Sequence, residues 1–240
     1  MKNRNSSVIV INSIFRDNTA AFLSGGGCGG GMDNENSAPT IVNCTFVGNT
    51  SGGSGGGMCV IGSDVTVRNC IFWDNTDAGP RDETAQIDVG LGGAITVLHT
   101  CIQDLNPNDA TIAFGGLANA NIDDDPLFVS LPNNLHVTVN SPCQDTGDQN
   151  LLSFGVIVDL DGHARTLCGD VDMGAYESGI GDQNCDTLIN LLDFAAWPTC
   201  MNGPSPSSLP KSCWAYDYAA DSDIDLFDYA AFQRSITAAN

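Results

Sequence analysis

Two acidic strings near the C-terminus carry residue types at a spacing on which chemistry can be built. DQNCDTLINLLD spans 182–193 and DYAADSDIDLFD spans 217–228. Numbered 1 to 12, the first places Asp182, Asn184 and Asp186 at positions 1, 3 and 5, the Leu188 carbonyl at 7, Asn190 at 9 and Asp193 at 12. Alternate residues of so tight a loop point inward, and oxygens at these positions supply the roughly six to eight ligands that calcium takes. The second string offers Asp217, Asp221, the Asp223 carbonyl, Asp225 and Asp228 at positions 1, 5, 7, 9 and 12. Its position 3 is Ala219, so water would stand in for one side chain. Position 6 turns with positive φ and favours glycine; Thr187 and Ser222 stand there instead, at a cost of about 1 kcal/mol each. Calcium affinity is therefore expected below that of a consensus loop, with the first loop the better site. Ile189, at position 8, is the apolar residue that would pin one loop against the other. Copies of one segment, INLLDFAAWPTC (189–200) and IDLFDYAAFQRS (224–235), lie 35 residues apart, so a helix is expected after each loop.

The bulk composition agrees with a cation ligand and excludes other partners. Acidic residues outnumber basic ones 29 to 8, for a net charge of −21, and 18 of the acids fall after residue 120. Nucleic acid needs Lys and Arg on its phosphates, so it is excluded as a partner, and an anionic membrane surface is excluded likewise. No apolar run approaches the roughly 20 residues of a membrane span. With 42% hydrophobic and 15% charged residues the chain should fold. Its ten cysteines form no CxxC pair and only three histidines accompany them, which favours disulfides over zinc and a secreted, extracellular or cell-surface location. The opening MKNRNSSVIVINSIF has too short an apolar stretch for a secretory leader and reads better as a repeat unit. The array is expected to start upstream, with a leader and earlier coils before residue 1.

What must position these residues begins with that repeat. VINSIFRDNT (10–19), IVNCTFVGNT (41–50) and VRNCIFWDNT (67–76) align without a gap. LHTCIQD (98–104) is a weaker fourth copy, aligned so that Thr100-Cys101-Ile102 replaces Asn69-Cys70-Ile71. Glycine runs, GGGCGGGM (25–32) and GGSGGGM (52–58), recur as punctuation. Short Val/Ile/Thr/Phe strands at this period predict a solenoid of β-coils, mainly β, in which equivalent residues stack. Helical repeats are excluded, since no 3.6-residue apolar period occurs. Phe15, Phe46 and Phe72 should form an internal aromatic stack, and Asn18, Asn49 and Asn75 an amide ladder that satisfies the turn backbone.

The repeat resembles the right-handed parallel β-helix repeats of the pectate-lyase-like superfamily over about residues 7–105. Three strings in the middle, NIDDDPLFVS (121–130), LHVTVNSPCQDTGD (135–148) and VDLDGHARTLCGDVDMGAYE (158–177), resemble the C-terminal end of many bacterial secreted β-helix proteins. The organisation read from this is β-helix coils over 1–105, final coils and a cap over 106–178, and a small helical calcium-loop domain over 180–240. In the cap a Cys143–Cys168 disulfide is expected. Asp145, Asp148, Asp159, Asp161 and Asp172 are read there as turn-formers bonding backbone, in preference to a calcium cluster. Residues 181–236 resemble a type I dockerin, which implies calcium as cofactor and a cohesin-like or cell-surface partner. Positions 10 and 11, where dockerins often carry partner-reading hydroxyls, hold Leu191-Leu192 and Leu226-Phe227, so a purely structural or tethering module stays open. The linker MNGPSPSSLPKS (201–212) is a flexible loop whose ends Cys200 and Cys213 could staple.

The resemblance to pectate lyases directs attention to arginine and carboxylate on one outer face. Arginines in the solenoid are Arg16, Arg68 and Arg81; a groove of Arg16, Arg68, Trp73 and Asp74 would hold an acidic sugar, although solvated outer positions are the plainer reading. His99 reads as a wall residue. Phosphate loops, serine nucleophile elbows and the hydrolase strings of the superfamily are absent from the sequence. Two functions follow: a non-catalytic extracellular structural, adhesive or carbohydrate-associated module tethered through its calcium-loaded tail, and, as the alternative, a polysaccharide lyase or glycoside hydrolase recruited to a polysaccharide-degrading assembly.

Overall fold

The computed structural model describes residues 1–21, 27–79, 82–104, 114–152, 155–201 and 209–238. Arg81 and linker residues 202–208 lie outside them. The first hundred residues form a parallel β-solenoid of about 3 turns. Lys2–Arg4, Met32–Glu35, Met58–Ile61 and Ile87–Val89 stack as one parallel sheet. Ile9–Ile11, Thr40–Val42, Asp64–Arg68 and Ala94–Leu98 make the second. Ile14–Arg16, Thr45–Val47, Ile71–Trp73 and Cys101–Ile102 make the third. Equivalent residues in successive coils are 31, 26 and 30 positions apart.

Each corner of the coil is turned by a residue in the left-handed region. Between the first and second sheets these are Asn5, Asn36, Gly62 and Gly92; between the second and third, Asn12, Asn43, Asn69 and His99; after the third, Asp17, Gly48 and Asp74. Asn, Asp and Gly tolerate positive φ best, which is why the repeat keeps them there. The residue after each corner shows a second rule. Its backbone N–H is capped by the side chain of its equivalent one coil on: Ser6 by Ser37 Oγ, Ser37 by Ser63 Oγ, Cys44 by Cys70 Sγ, Cys70 by Thr100 Oγ1 and Thr100 by Asn121 Oδ1. Ser, Cys, Thr and Asn interchange at this position because each offers an acceptor to an N–H that the corner has freed.

The aromatic stack forms as expected, with Phe15–Phe46 and Phe46–Phe72 centroids each 4.4 Å apart and nearly coplanar. The amide ladder forms too. Asn18 and Asn49 each donate Nδ2–H to the Oδ1 of the next asparagine at 2.9 Å, and Asn75 donates to Gln86 Oε1 at 2.7 Å. Gln86, on the short helix Glu83–Gln86, thus takes the fourth place in the ladder and donates onward to Gln103 Oε1 at 3.3 Å. At Gly29 (φ +66°) a Cβ would lie 2.1 Å from the Met32 carbonyl, so this glycine is required by the path of the chain.

The fourth copy needs correcting by one residue. Ile71 pairs with Cys101 and Phe72 with Ile102, so His99 replaces Asn69 and Thr100 replaces Cys70. Side chains alternate between faces, and a one-residue slip exchanges inside for outside. Val97 and Ile102 fill the core, where Cys44 and Cys70 lie, while Cys101 points outward.

Ile122 adds one further parallel bridge to the stack, opposite Cys101, and the chain beyond it leaves the coil. Phe128–Ser130 and Asn134–Val137 make an antiparallel hairpin, and the chain then runs back as a strap along the outer face of the third sheet. Asp148 N–H and Asn69 Oδ1 pair at 3.0 Å, Ala175 N–H donates to Thr45 Oγ1, and the buried Arg165 reaches Asn12 Oδ1 at 2.8 Å. A second core results, in which outward-facing Ile71 and Cys101 meet Val137, Cys143 and Met173, with Trp73 packed against them. The Cys143–Cys168 bridge is replaced by Cys168–Cys185, and Cys143 is a buried free thiol in that second core. Cys28–Cys59 and Cys200–Cys213 are also bonded, the latter stapling the linker ends as expected.

The described residues of the tail pack around Trp197, Tyr216, Ile224 and Phe232. The two expected helices differ. Leu226–Ala238 is a regular helix, but its counterpart is a 3-10 turn, Asp193–Ala196, running into one α-turn, Trp197–Cys200. Pro198 stands where the second copy has Gln233, and proline removes a helical donor and crowds the preceding turn.

Candidate metal centre

The two acidic strings fold into loops with the same internal bonding. Asp182 accepts the N–H of Asp186 on Oδ1 and of Thr187 on Oδ2. Asp217 accepts those of Asp221 and Ser222 in the same way. At position 12, Asp193 accepts Asn184 N–H and Asn190 N–H, and Asp228 accepts Ala219 N–H and Asp225 N–H. Thr187 and Ser222 take φ of 71° and 69°, as expected of position 6; Cys185 and Ala220 at position 4 are also left-handed, at 60° and 53°. Ile189 and Ile224 enter one core, which fixes the loops against each other. Tyr216 hydroxyl donates to the Asp193 carbonyl.

Each loop holds its position-12 carboxylate away from water and leaves its position-5 carboxylate, Asp186 or Asp221, exposed. Asp193 and Asp228 are buried and Asp182 nearly so. Burial, followed by the neighbouring carboxylates, pushes the Asp182 and Asp217 carboxyls above the usual range. Oxygens of Asp221, Asp223 and Asp228 lie within 4.8 Å of one another. An all-oxygen donor set of this kind fits a hard divalent cation; in the first loop the candidate donors are Asp182, Asn184, Asp186, Asn190, Asp193 and the Leu188 carbonyl, whose three carboxylates do not converge as closely.

Arg16, Arg68, Trp73 and Asp74 are not brought together as a groove. Arg16 and Trp73 share a column of the third sheet but flank Val47, while Arg68 belongs to the second sheet between Val42 and Leu98. Arg16 is bonded to the Pro132 carbonyl at 2.7 Å, and Trp73 packs beneath the strap. Asp74 is a corner residue, φ 53°. The strap occupies the face on which a sugar groove was sought. His99 is likewise a corner residue, its Nδ1 3.0 Å from the Thr146 carbonyl.

Most cap aspartates act on backbone, as read from the sequence. Asp148 accepts Asn150 N–H, and Asp159 accepts those of Asp161, His163 and Glu177. Asp161 meets His136 Nε2 at 2.8 Å, and the His136 ring stacks on Tyr176. Asp172 too accepts backbone N–H groups, those of Asp145 and Ser178, and in addition it converges with Asp145 and with Glu177, which burial rather than spacing distinguishes.

Fold and loops together define a parallel β-solenoid whose strap is joined by a disulfide to an acidic loop-and-helix tail. No protein-family model, curated protein or solved structure matches this chain.

Proposed function

We propose that this chain is a secreted β-helix protein of the right-handed, pectate-lyase-like kind, acting as an extracellular structural or adhesive, carbohydrate-associated module tethered through a calcium-loaded, dockerin-like tail. The observation that carries the reading is the equivalence of Asp182 with Asp217 and of Asp193 with Asp228, each pair accepting the same set of loop N–H groups. Two loops that share one internal bonding pattern and one all-oxygen donor set are what a paired calcium module requires. Calcium would neutralise the inward carboxylates and fix the two loops relative to their common core. Three disulfides support an oxidising location.

Partner choice would rest on positions 10 and 11. Leu191, Leu192, Leu226 and Phe227 are 68–80% exposed, so a cohesin-like or cell-surface partner would meet apolar side chains there. Catalysis receives no support from the third sheet, whose outer face is covered by the strap. The experiment is retention of labelled full-length protein on cell-surface or polysaccharide preparations in calcium and in chelator. Calcium-dependent retention, lost in Leu226→Ser/Phe227→Ser, is expected. Retention indifferent to both, or calcium-dependent release of unsaturated product from polygalacturonate, would overturn the tethered-module reading.

A further inference from the structure

Outside the two loops, Asp145, Asp172 and Glu177 each place a carboxylate oxygen within 4.8 Å of the others. Calcium–oxygen bonds of roughly 2.3–2.6 Å let one ion touch oxygens at that separation. Asp172 and Glu177 lie five residues apart on one segment of the strap, and Asp145 comes to them from 27 residues upstream of Asp172. They are held in place by backbone. Asp172 Oδ1 accepts Asp145 N–H at 2.8 Å and Oδ2 accepts Ser178 N–H at 2.7 Å, while Glu177 Oε2 accepts Asp172 N–H at 3.1 Å.

The second oxygen of Glu177 is the independent sign of a ligand. Glu177 and Asp172 are 3% and 1% exposed, and Glu177 Oε1 is buried with no hydrogen-bond partner. A buried carboxylate oxygen left unpaired costs several kcal/mol by order of magnitude, so it is expected to have a partner. Arg165 approaches the same carboxylate at 3.5 Å, on Oε2. Once ionised around a cation, the three carboxylates set against that one guanidinium would carry two negative charges in excess, the charge of a divalent ion.

We propose that Asp145, Asp172 and Glu177 form a third divalent-cation site, of the calcium class, that locks the strap where it meets the solenoid and the tail. Oxygen-only donors and the absence of His or Cys from the set disfavour zinc and copper. The partly exposed Asp145 provides the route of entry. Because none of its three carboxylates belongs to the acidic loops, the site stands or falls separately from the tethering function.

The test compares calcium bound per full-length chain by equilibrium dialysis in wild type, Asp145→Asn and Glu177→Gln. Asn suits the left-handed backbone at 145 (φ 51°), and Gln keeps an acceptor for Asp172 N–H, so both variants should fold; circular dichroism checks this. The count is expected to fall by one in each variant, whatever number the loops hold, and calcium-induced thermal stabilisation to shrink. A chain with Asp186→Ala and Asp221→Ala should keep this ion. An equal count in wild type and in both folded variants would overturn the proposal.

Discussion

Cys168 and Cys185 are bonded to each other, with Cα atoms 5.2 Å apart, so the strap is covalently joined to position 4 of the first acidic loop. The bridge closes a 17-residue separation that contains Asp172, Glu177 and Asp182. A closed loop of that length restricts the unfolded chain by about 3 kcal/mol. Cys168→Ser with Cys185→Ser should therefore lower unfolding free energy by about 3 kcal/mol and weaken metal uptake by the first loop more than by the second. Denaturant titration with and without calcium reads both effects; an unchanged midpoint would show that the bridge does not organise this junction.

The solenoid interior gives a second prediction. Phe46 stacks on Phe15 and Phe72 and is fully buried. Phe46→Ala should cost about 3–5 kcal/mol through lost burial and the cavity left behind. Asn49→Ala removes partners from Asn18, the Phe15 carbonyl and Asn75, leaving several polar groups unpaired at about 1–3 kcal/mol each. Chemical denaturation should rank both well above Asp17→Asn, an exposed corner change that keeps positive φ accessible.

Alkaline pH supplies a third. Burial pushes the hydroxyls of Tyr216 and Tyr218 up to about 12. An unfolded chain loses these protons near pH 10, while the folded chain holds them longer. Their contribution to stability is thus complete below about pH 10 and lost as pH rises through about 12. Tyrosinate absorbance should develop late for these two residues, and Tyr218→Phe should flatten the alkaline loss of stability. A variant whose alkaline limb matches wild type would contradict this.

The short first helix gives a fourth. Pro198→Gln restores the residue type found at the equivalent place in the second copy and should increase helical ellipticity after the first loop. Unaltered ellipticity in calcium would mean that packing around Trp197, not proline, sets the break.

Much of this architecture was legible because stacking makes residue identity repeat. Phe15, Phe46 and Phe72, and likewise the three asparagines of the ladder, each stack on their own kind in the next coil, so their spacing reports the coil directly. The fourth coil was misread where identity misleads. Cys101 matched Cys70 by type, yet the corner can be turned by His99 and capped by Thr100, and the core demanded Val97 and Ile102 inside. The strap was illegible for another reason: its contacts with Asn12, Thr45 and Asn69 bridge segments up to 153 residues apart and leave no periodic trace. Glu177 escaped notice because burial, not spacing, distinguishes it. In the tail, alternation of oxygen-bearing residues identified the loops, whereas the unequal helices depended on one proline.

The most direct test of the tethered-tail account is calcium calorimetry on the full chain alongside Asp186→Ala/Asp221→Ala, which changes one exposed ligand in each loop. Wild type should take up calcium with a gain in helical signal, and the variant should lose two of the bound ions or bind them at least tenfold more weakly (about 1.4 kcal/mol per site). Identical isotherms and spectra for the two proteins would contradict the account.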